Sequence, residues 1–389
     1  MRTSDATTQT KLKVLIVAPS FDILGGQSVQ AARLLERLRQ EPLLQVGFLP
    51  INPRLPGVLR RLQAIKYVRT VVTSIAYIWS LIWRVHKYDV IHVFSASYFS
   101  FVLAPTPAIL IGKLFRRKVL LNYHSGEAED HLRRWRSAIA IIRLADSIVV
   151  PSEYLVSVFA SFGLKTQAIF NLVDLNKFRF RSRVPLRPVF LSNRNFESHY
   201  GVDYVLRAFA MIQSRVPSAQ LTIAGDGSLR RPLQSLAVEL GLKNTTFIGR
   251  VDPEAIAAVY DAADIYLNGS TIDNQPLSII EAFCCGLPIV TTGAGGIPYM
   301  VRDGKTGLLV PCGDHAQMAE RALRLLTDPD LAGQLTSEGR NECVKYQWQT
   351  VRDAWIKAYF DLRNKPGVRP AGEAENIPQP PSEHRALTK

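Results

Sequence analysis

The segment Ser270–Pro298, STIDNQPLSIIEAFCCGLPIVTTGAGGIP, contains two acids, Asp273 and Glu281, with seven residues between them. The residues around them are largely apolar, and a carboxylate in such surroundings is unfavourable unless a partner satisfies it. One interpretation is structural: Asp273 caps a helix and Glu281 bonds a local backbone amide. The other is functional: the two carboxylates hold a ligand rich in hydroxyl groups, beside backbone amides that suit a phosphate.

The same segment predicts a helix followed by a strand. Asn274 and Pro276 indicate the helix start, because Asn is a good N-cap and proline is tolerated at the first helical position. Gly286 indicates the end of the helix, and the β-branched run PIVTT after it is typical of a buried strand. Asp273 is therefore expected just ahead of a helix N-terminus, and Glu281 on the last turns of that helix.

Strand and helix patterns alternate along the whole chain, in two sets separated by the basic segment Phe178–Pro188. This alternation predicts an α/β protein with two doubly wound parallel sheets, which bind ligands at the carboxyl ends of their strands. The expected strands lie near 13–18, 45–50, 90–94, 118–123 and 147–150 in the first set, and near 188–192, 220–225, 245–248, 265–268 and 288–291 in the second.

A chain of 389 residues is long enough for two domains, each with its own core. The polar N-terminus and a tail rich in proline and charge are expected to be disordered, and the last helix could pack back on the first domain. The expected units are 1–10 (disordered), 11–180 (first domain), 181–346 (second domain), 347–365 (C-terminal helix) and 366–389 (disordered tail).

The net charge of +14 is carried by the first half of the chain. Residues 1–183 hold 26 Lys and Arg against 11 Asp and Glu, whereas the remainder holds 21 against 22. Aromatic residues are not interleaved with these charges as in a base-stacking platform, so no nucleic acid partner is expected. The chain has only four cysteines, without metal-type spacing, and nothing in their pattern indicates a disulfide framework, so a reducing cytosol fits best.

An uncharged run, Thr70–Trp83, lies between basic residues and contains Trp79 and Trp83. Fourteen residues cannot span a bilayer as a helix, so the run either packs in a core or lies at a membrane interface. With the basic excess, the second alternative predicts contact with an anionic membrane surface. The longer run Val90–Gly112 is broken by prolines and serines, and a buried strand and helix explain it better than a transmembrane span.

Glycines and an arginine lie where the predicted sheets would place a ligand. Gly25 and Gly26 follow the first strand, where they form either a generic tight turn or a close approach to a phosphate. Arg194 follows the strand that opens the second domain, either as a surface residue or as a partner for a diphosphate. Two histidines of the first half, His92 and His131, are interpreted as structural.

Taken together, these segments resemble family 4 of the retaining glycosyltransferases over nearly all of residues 11–363. The resemblance implies the GT-B fold, in which two Rossmann-like domains face a central cleft, the first for the acceptor and the second for the nucleotide-sugar donor. The order and spacing of the motifs carry it: PSEYLVSVF (from Pro151), NLVDLNKF (from Asn171), VFLSNRNFESHYG, AGDGSLR, FIGRV (from Phe247), AADIYLNGS and IDNQPLSIIEAFCCGLPIVTTGAGGIPYMV.

The resemblance implies that Asp273 binds hydroxyls of the transferred sugar and that Glu281 binds the ribose of the nucleotide. Arg194 would hold the diphosphate together with the amides of Leu277 and Ser278. The implied donor-binding residues of the second domain are Arg194, Tyr200, Arg250, Val251, Asp273, Asn274, Leu277, Ser278 and Glu281.

In the first domain, Gly25 and Gly26 would approach the phosphate, and His124 would contact the donor sugar. Arg250 and Val251, in the second domain, lie where the base is expected. The resemblance thus implies catalytic roles for His124, Arg194 and Asp273.

Two departures from the family pattern stand out. The first acid is usually Glu, whereas this chain has the shorter Asp273. Where the family commonly has Lys, six residues after the arginine, this chain has Tyr200, preceded by His199. The leaving diphosphate would then lack one formal positive charge, unless His199 or the Tyr200 hydroxyl substitutes.

The implied reaction is retaining transfer of a sugar from a nucleotide-diphosphate-sugar to a hydroxyl of a glycan, without a metal or a resident cofactor. The glycan is expected to be lipid-linked or membrane-associated. A phosphate oxygen is the expected base. The enzyme is expected in the cytoplasm, peripherally at the inner face of the cell membrane. The alternatives are a nucleotide-sugar epimerase of the same fold and a catalytically weak binding subunit of a polysaccharide assembly complex.

Overall fold

The computed structural model describes most of the chain: residues 11–21, 26–57, 59–65, 67–95 and 97–365. The expectations for the two chain ends, 1–10 and 366–389, and for Gly25 lie outside the described residues.

Twelve strands form within the described ranges, and ten of them match the expected positions to within one or two residues. The other two, β6 and β12, are only two and three residues long and were not expected. The strands are β1 (Leu12–Ala18), β2 (Leu44–Pro50), β3 (Val90–Ser95), β4 (Lys118–Tyr123), β5 (Ser147–Val150), β6 (Gln167–Ala168), β7 (Val189–Asn193), β8 (Gln220–Ala224), β9 (Thr245–Gly249), β10 (Ile265–Asn268), β11 (Ile289–Thr292) and β12 (Leu308–Val310).

Helices connect the strands and cover both faces of each sheet. They are α1 (Gly26–Arg39), α2 (Leu59–Leu62), α3 (Val68–Val85), α4 (Tyr98–Leu103), α5 (Pro105–Leu114), α6 (Ala128–Arg134), α7 (Arg136–Ile142), α8 (Glu153–Ser161), α9 (Val202–Arg215), α10 (Arg230–Glu239), α11 (Ile256–Ala262), α12 (Leu277–Cys285), α13 (His315–Thr327), α14 (Pro329–Glu342) and α15 (Trp348–Asn364).

The strands pair in parallel into two six-stranded sheets. Their orders are β2-β1-β3-β4-β5-β6 and β12-β11-β10-β7-β8-β9. In each sheet the winding reverses beside the first strand, between β1 and β3 and between β7 and β10, and a doubly wound sheet opens a ligand crevice at such a point. The predicted fold, two Rossmann-like doubly wound domains, is therefore confirmed.

Burial on both faces explains why the central strands are continuous apolar runs. All six residues of β3, VIHVFS, are buried, including His92. In the first domain α3, α5 and α8 pack on one face of the sheet, and α1 and α15 pack on the other. In the second domain α9 and α13 cover one face and α12 covers the other.

The last helix, α15, packs on the first domain although it follows the second in sequence. Trp355 and Tyr359 join the core formed by β1 and α1, and the Tyr359 hydroxyl lies 2.7 Å from Nδ1 of His92. The chain thus crosses between the domains twice. The two crossings touch, because the amide of Val173 donates to the carbonyl of Tyr346 over 2.8 Å.

Helix α3 settles the alternatives for the Thr70–Trp83 run only in part. Tyr77 and Leu81 are buried in the first-domain core, so one face of α3 is a core helix. The tryptophans do not pack in the core, since Trp79 is 62% exposed and Trp83 is 59% exposed. For these two side chains the core alternative is therefore wrong. Among the helices that the structure describes, none is long and apolar enough to cross a membrane.

Candidate active site

A cleft of about 800 Å³ lies between the two domains, at the carboxyl ends of both sheets. Nearly every residue that the sequence singled out for binding lies on its walls. The described members of that set in the cleft are Gly26, His124, Arg194, Tyr200, Arg250, Val251, Asp273, Asn274, Leu277, Ser278 and Glu281.

Arg194 and Asp273 form an ion pair at the centre of the cleft. Arg194 follows the end of β7, and one of its terminal nitrogens, Nη2, contacts a carboxylate oxygen of Asp273. Its other terminal nitrogen, Nη1, donates to the Ser278 hydroxyl over 3.1 Å. Burial opposes the charge of the guanidinium, but Asp273 and the neighbouring tyrosines together outweigh this effect, and the pKa of Arg194 is raised. The site therefore holds a fixed cation beside the start of α12.

The ring of Tyr200 lies against this cation. The guanidinium carbon of Arg194 is 4.1 Å from the centre of the Tyr200 ring, within the range of a cation–π contact. Burial raises the pKa of Tyr200, so its hydroxyl keeps its proton and can donate to a ligand. The turn after Tyr200 needs glycine, because Gly201 has φ +57° and a Cβ there would lie 1.9 Å from the Gly269 carbonyl oxygen.

The N-terminus of α12 opens on the same space. Its N-cap is Pro276, which has no side-chain hydrogen-bonding group, and within the described part of the chain the first amides of the helix have no side-chain cap. The expectation that Asn274 caps the helix is therefore wrong. The Asn274 side chain is instead held by the first domain, through the Ser152 hydroxyl and the carbonyl of His124. Uncapped amides at a helix N-terminus, with Arg194 beside them, are suited to bind an anion.

Glu281, the fifth of the nine residues of α12, is paired across the cleft. Its Oε1 lies 3.0 Å from Nη2 of Arg33, a residue of α1 in the first domain. The side chain of Glu281 is 8% exposed and that of Arg33 is 16% exposed. Sequence reasoning missed Arg33, because the pattern of α1 gives no signal for a partner 248 positions away.

His124 follows β4 and packs on Phe94, with ring centres 5.0 Å apart. Burial lowers the pKa of His124 to about 3, so the ring is neutral at physiological pH. Its Nε2 is buried and bonded to none of the described residues. His92 and His131 do not line this cleft: His92 bonds Tyr359 and Asn122 in the core, and Nδ1 of His131 lies 2.7 Å from the Tyr123 hydroxyl.

Gly26, Arg250 and Val251 complete the walls. Gly26 begins α1, and an added Cβ would meet no atom of the described residues within 4 Å, so its backbone faces open space. Arg250 and Val251 follow β9 on the opposite wall. In the ranges that the structure describes, no three His, Cys, Asp or Glu side chains group as a metal site would require.

Two family models match adjoining parts of the chain: Glycosyltransferase Family 4 over residues 24–177, and Glycosyl transferases group 1 over residues 176–342. A GDP-mannose-dependent alpha-(1-6)-phosphatidylinositol monomannoside mannosyltransferase of Mycolicibacterium smegmatis is 31% identical over 275 residues, which cover 64% of this chain and 72% of that protein. This chain belongs to glycosyltransferase family 4.

Other relatives of this glycosyltransferase match over shorter stretches or by fold. A D-inositol 3-phosphate glycosyltransferase of Corynebacterium jeikeium is 36% identical over 171 residues, 42% of this chain and 41% of that protein. Among solved structures, sucrose-phosphate synthase from Thermosynechococcus elongatus superimposes with a TM-score of 0.71 at 20% identity, covering 90% and 99% of the two chains. HepE of Anabaena, in complex with UDP-glucose, superimposes with a TM-score of 0.71 at 18% identity, covering 90% of this chain and 100% of that chain.

The geometry answers why this glycosyltransferase buries two acids in one segment. Each carboxylate has an arginine partner, Arg194 for Asp273 and Arg33 for Glu281, so neither charge is buried alone. The second oxygen of Asp273 accepts from the Asn274 amide over 3.0 Å and has a further lone pair, so it and the second oxygen of Glu281 can each accept from a ligand hydroxyl. The cleft thus offers two carboxylate acceptors, a neutral imidazole, a guanidinium and open helix amides to a ligand that combines hydroxyls with an anion.

Proposed function

We propose that this glycosyltransferase moves a sugar from a nucleotide-diphosphate-sugar to a hydroxyl of a glycan or lipid-linked acceptor, with retention of anomeric configuration and without a metal ion. The observation that carries the proposal is the combination of Arg194 and the uncapped N-terminus of α12 in a cleft that also holds Asp273 and Glu281. An anion site between two hydroxyl acceptors fits a molecule with a diphosphate between two sugars.

The diphosphate would lie against Arg194 and the amides of Leu277 and Ser278. As the bond between the sugar and the diphosphate breaks, negative charge develops on the leaving oxygen. A buried cation and oriented amides stabilise that charge without reorganising, which is usually the largest contribution to catalysis. Tyr200 contributes a hydroxyl donor and holds the plane of the guanidinium, in the absence of a lysine at this position.

Asp273 and His124 would hold the transferred sugar. In the described state Asp273 is paired with Arg194, so the proposal requires this pair to share its bonds with the ligand: Arg194 with phosphate oxygens and Asp273 with sugar hydroxyls. His124 is neutral, so its Nε2 can form one hydrogen bond with a sugar hydroxyl without adding charge to the site. The acceptor hydroxyl would attack on the face that the diphosphate leaves, and a phosphate oxygen would take its proton.

The exposed face of α3 supports an acceptor at a membrane. Six apolar side chains recur there at helical spacing, and the name α3 stripe is used for them below: Val71, Ile75, Ile78, Trp79, Ile82 and Trp83. Leu114 of the neighbouring helix α5 is 77% exposed as well. An apolar patch of this kind on a soluble domain commonly marks an interaction site.

Basic residues lie at both ends of the α3 stripe. Arg60, Arg61 and Arg69 are exposed near its start, and Arg84 and Lys87 are exposed near its end. Apolar groups flanked by cations suit the surface of an anionic membrane. The name of the mycobacterial relative describes a phosphatidylinositol mannoside as substrate, which fits the same interpretation. The proposed location is therefore peripheral, at the inner face of the cell membrane.

Nucleotide release from a panel of UDP-, GDP- and ADP-sugars tests the proposal. We expect one donor to be hydrolysed slowly, and to be transferred faster once a membrane extract supplies acceptors. Arg194→Met should abolish release, whereas Arg324→Met, on the exposed surface of α13, should not. An anomeric configuration in the product opposite to that of the donor, seen by NMR, would contradict retention. Donor binding without any turnover would favour the catalytically weak binding subunit, which the uncharged Tyr200 suggests.

A further inference from the structure

We infer that Arg33 is a donor-binding residue that recognises the ribose of the nucleotide together with Glu281. The inference rests on the proposed function, because it assumes that the ribose lies at Glu281. It adds a specificity residue from the first domain to a part of the site otherwise built from the second.

Position is the first argument. Arg33 lines the cleft from α1, directly opposite Glu281 on α12, and the two side chains meet at 3.0 Å. Both are largely buried. A ligand group that reaches the Glu281 carboxylate must therefore also lie beside the Arg33 guanidinium.

Unused hydrogen-bonding capacity is the second argument. A guanidinium has five N–H donors and no acceptor. Among the described residues, Nη2 is the one nitrogen of Arg33 with a hydrogen-bond partner, and Nη1 is buried without one. A buried donor without a partner is unfavourable, and a ligand oxygen beside Arg33 would satisfy it.

The chemistry of the pair matches a vicinal diol. A carboxylate only accepts hydrogen bonds and a guanidinium only donates them, whereas each ribose hydroxyl can do both. One hydroxyl can thus donate to the free oxygen of Glu281 while accepting from Arg33. A deoxyribose cannot satisfy both groups, and a site built to bond a hydroxyl discriminates strongly against the analogue that lacks it.

Charge is the third argument. A lone Glu281 carboxylate in the same cleft would repel the negative diphosphate, and burial strengthens such repulsion. Arg33 neutralises this carboxylate without removing it as an acceptor. The pair therefore lets a carboxylate bind the sugar hydroxyls close to two phosphates.

The chain offers a matched control on the same helix. Arg37 lies one turn after Arg33 and pairs with Asp174 at 3.1 Å. That pair is more exposed, 30% and 40%, and neither residue lines the cleft. Arg37→Met therefore removes an arginine–carboxylate pair from α1 without touching the proposed ribose site.

The test measures affinities by calorimetry for UDP, GDP and ADP, and for their 2′-deoxy and 3′-deoxy counterparts. For the nucleotide that binds the wild-type protein best, we expect at least one deoxy form to bind roughly 10-fold more weakly or worse. Arg33→Met should weaken binding of the ribonucleotide by about 10-fold and bring ribo and deoxy forms close together. Arg37→Met should leave both values unchanged. Arg33→Lys keeps the charge without the planar fork and should restore part of the affinity but little of the discrimination.

Unchanged affinity and unchanged discrimination in folded Arg33→Met would overturn this inference and leave the proposed function intact. If that variant does not fold, Arg33→Lys decides in the same way, since full discrimination with a lysine would rule out the guanidinium's role. A wild-type protein that binds none of the nucleotides would overturn the proposed function and this inference together. The double variant Arg33→Met with Glu281→Gln should discriminate no less than Glu281→Gln alone, because both residues act on one contact.

Discussion

Replacing Trp79 and Trp83 with alanine should remove a large part of the apolar attraction between α3 and a membrane. The two side chains are 62% and 59% exposed, and their ring centres lie 5.9 Å apart with the ring planes tilted by 53°. A tryptophan presents at most about 250 Å², so the pair exposes roughly 300 Å². If an interface covers half of that area, burial at about 25 cal/mol per Å² contributes about 4 kcal/mol. Alanine recovers a small part, so the double variant should bind vesicles about 100-fold more weakly.

Sedimentation with liposomes measures this change. Wild-type protein should bind vesicles that contain anionic lipid better than neutral ones, and raising the salt to 1 M should weaken binding, because the Debye length falls from about 10 Å at 0.1 M to about 3 Å. Val238→Ser is the control, since Val238 is 82% exposed on α10 of the second domain, away from the α3 stripe. Equal recovery of wild-type and double variant, with no dependence on lipid charge or salt, would refute the membrane interpretation.

Three further predictions concern the site and the core. Glu281→Ala should lower the affinity for the donor at least roughly 10-fold in a folded protein. The control Glu254→Ala, which removes a surface pair with Lys177, should not. Equal donor affinity in both variants would rule out the ribose role of Glu281. Transfer should survive excess EDTA, because Arg194 and the amides of α12 meet the diphosphate charge; loss of activity that magnesium or manganese restores would show that this assignment is wrong. Burial lowers the pKa of His92 to about 3, with His124 adding to the effect, so below pH 6.5 the unfolded chain takes up a proton that the folded protein does not. Between pH 7 and pH 5 the free energy of unfolding should then fall by about 2 kcal/mol because of this residue. Denaturant titrations at the two pH values should show a correspondingly smaller fall for His92→Gln than for wild type. An equal fall in both proteins would contradict the assignment.

Local patterns were sufficient to predict the sheets. β1, β3 and β4 are buried on both faces, so each is an apolar run that no surface strand would carry. β6 and β12 have two and three residues, too few for any periodic pattern. The predicted cap at Asn274 failed because Ser152, 122 positions away, holds that side chain.

Long-range contacts also limited what the sequence alone could predict about the site. The motif around Asp273 and Glu281 was sufficient to place both acids in the cleft, since they lie on one short helix and the loop before it. Arg33 could not be found, because its partner comes from the other domain. The exposure of Trp79 could not be found either, since α3 is apolar on more than one face and only the packed structure shows which face the core uses.

The double crossing of the chain has a consequence for limited proteolysis. Arg179, in the first crossing, is exposed, and trypsin cutting after it would separate a fragment ending at 179 from one starting at 180. The second fragment still carries α15, whose Trp355 and Tyr359 are buried in the core of the first domain. The nicked protein should therefore migrate as one particle in gel filtration and as two bands under denaturing conditions. We therefore expect the segment from 348 to 364 to hold the two fragments together, because it belongs to one fragment and packs in the core of the other.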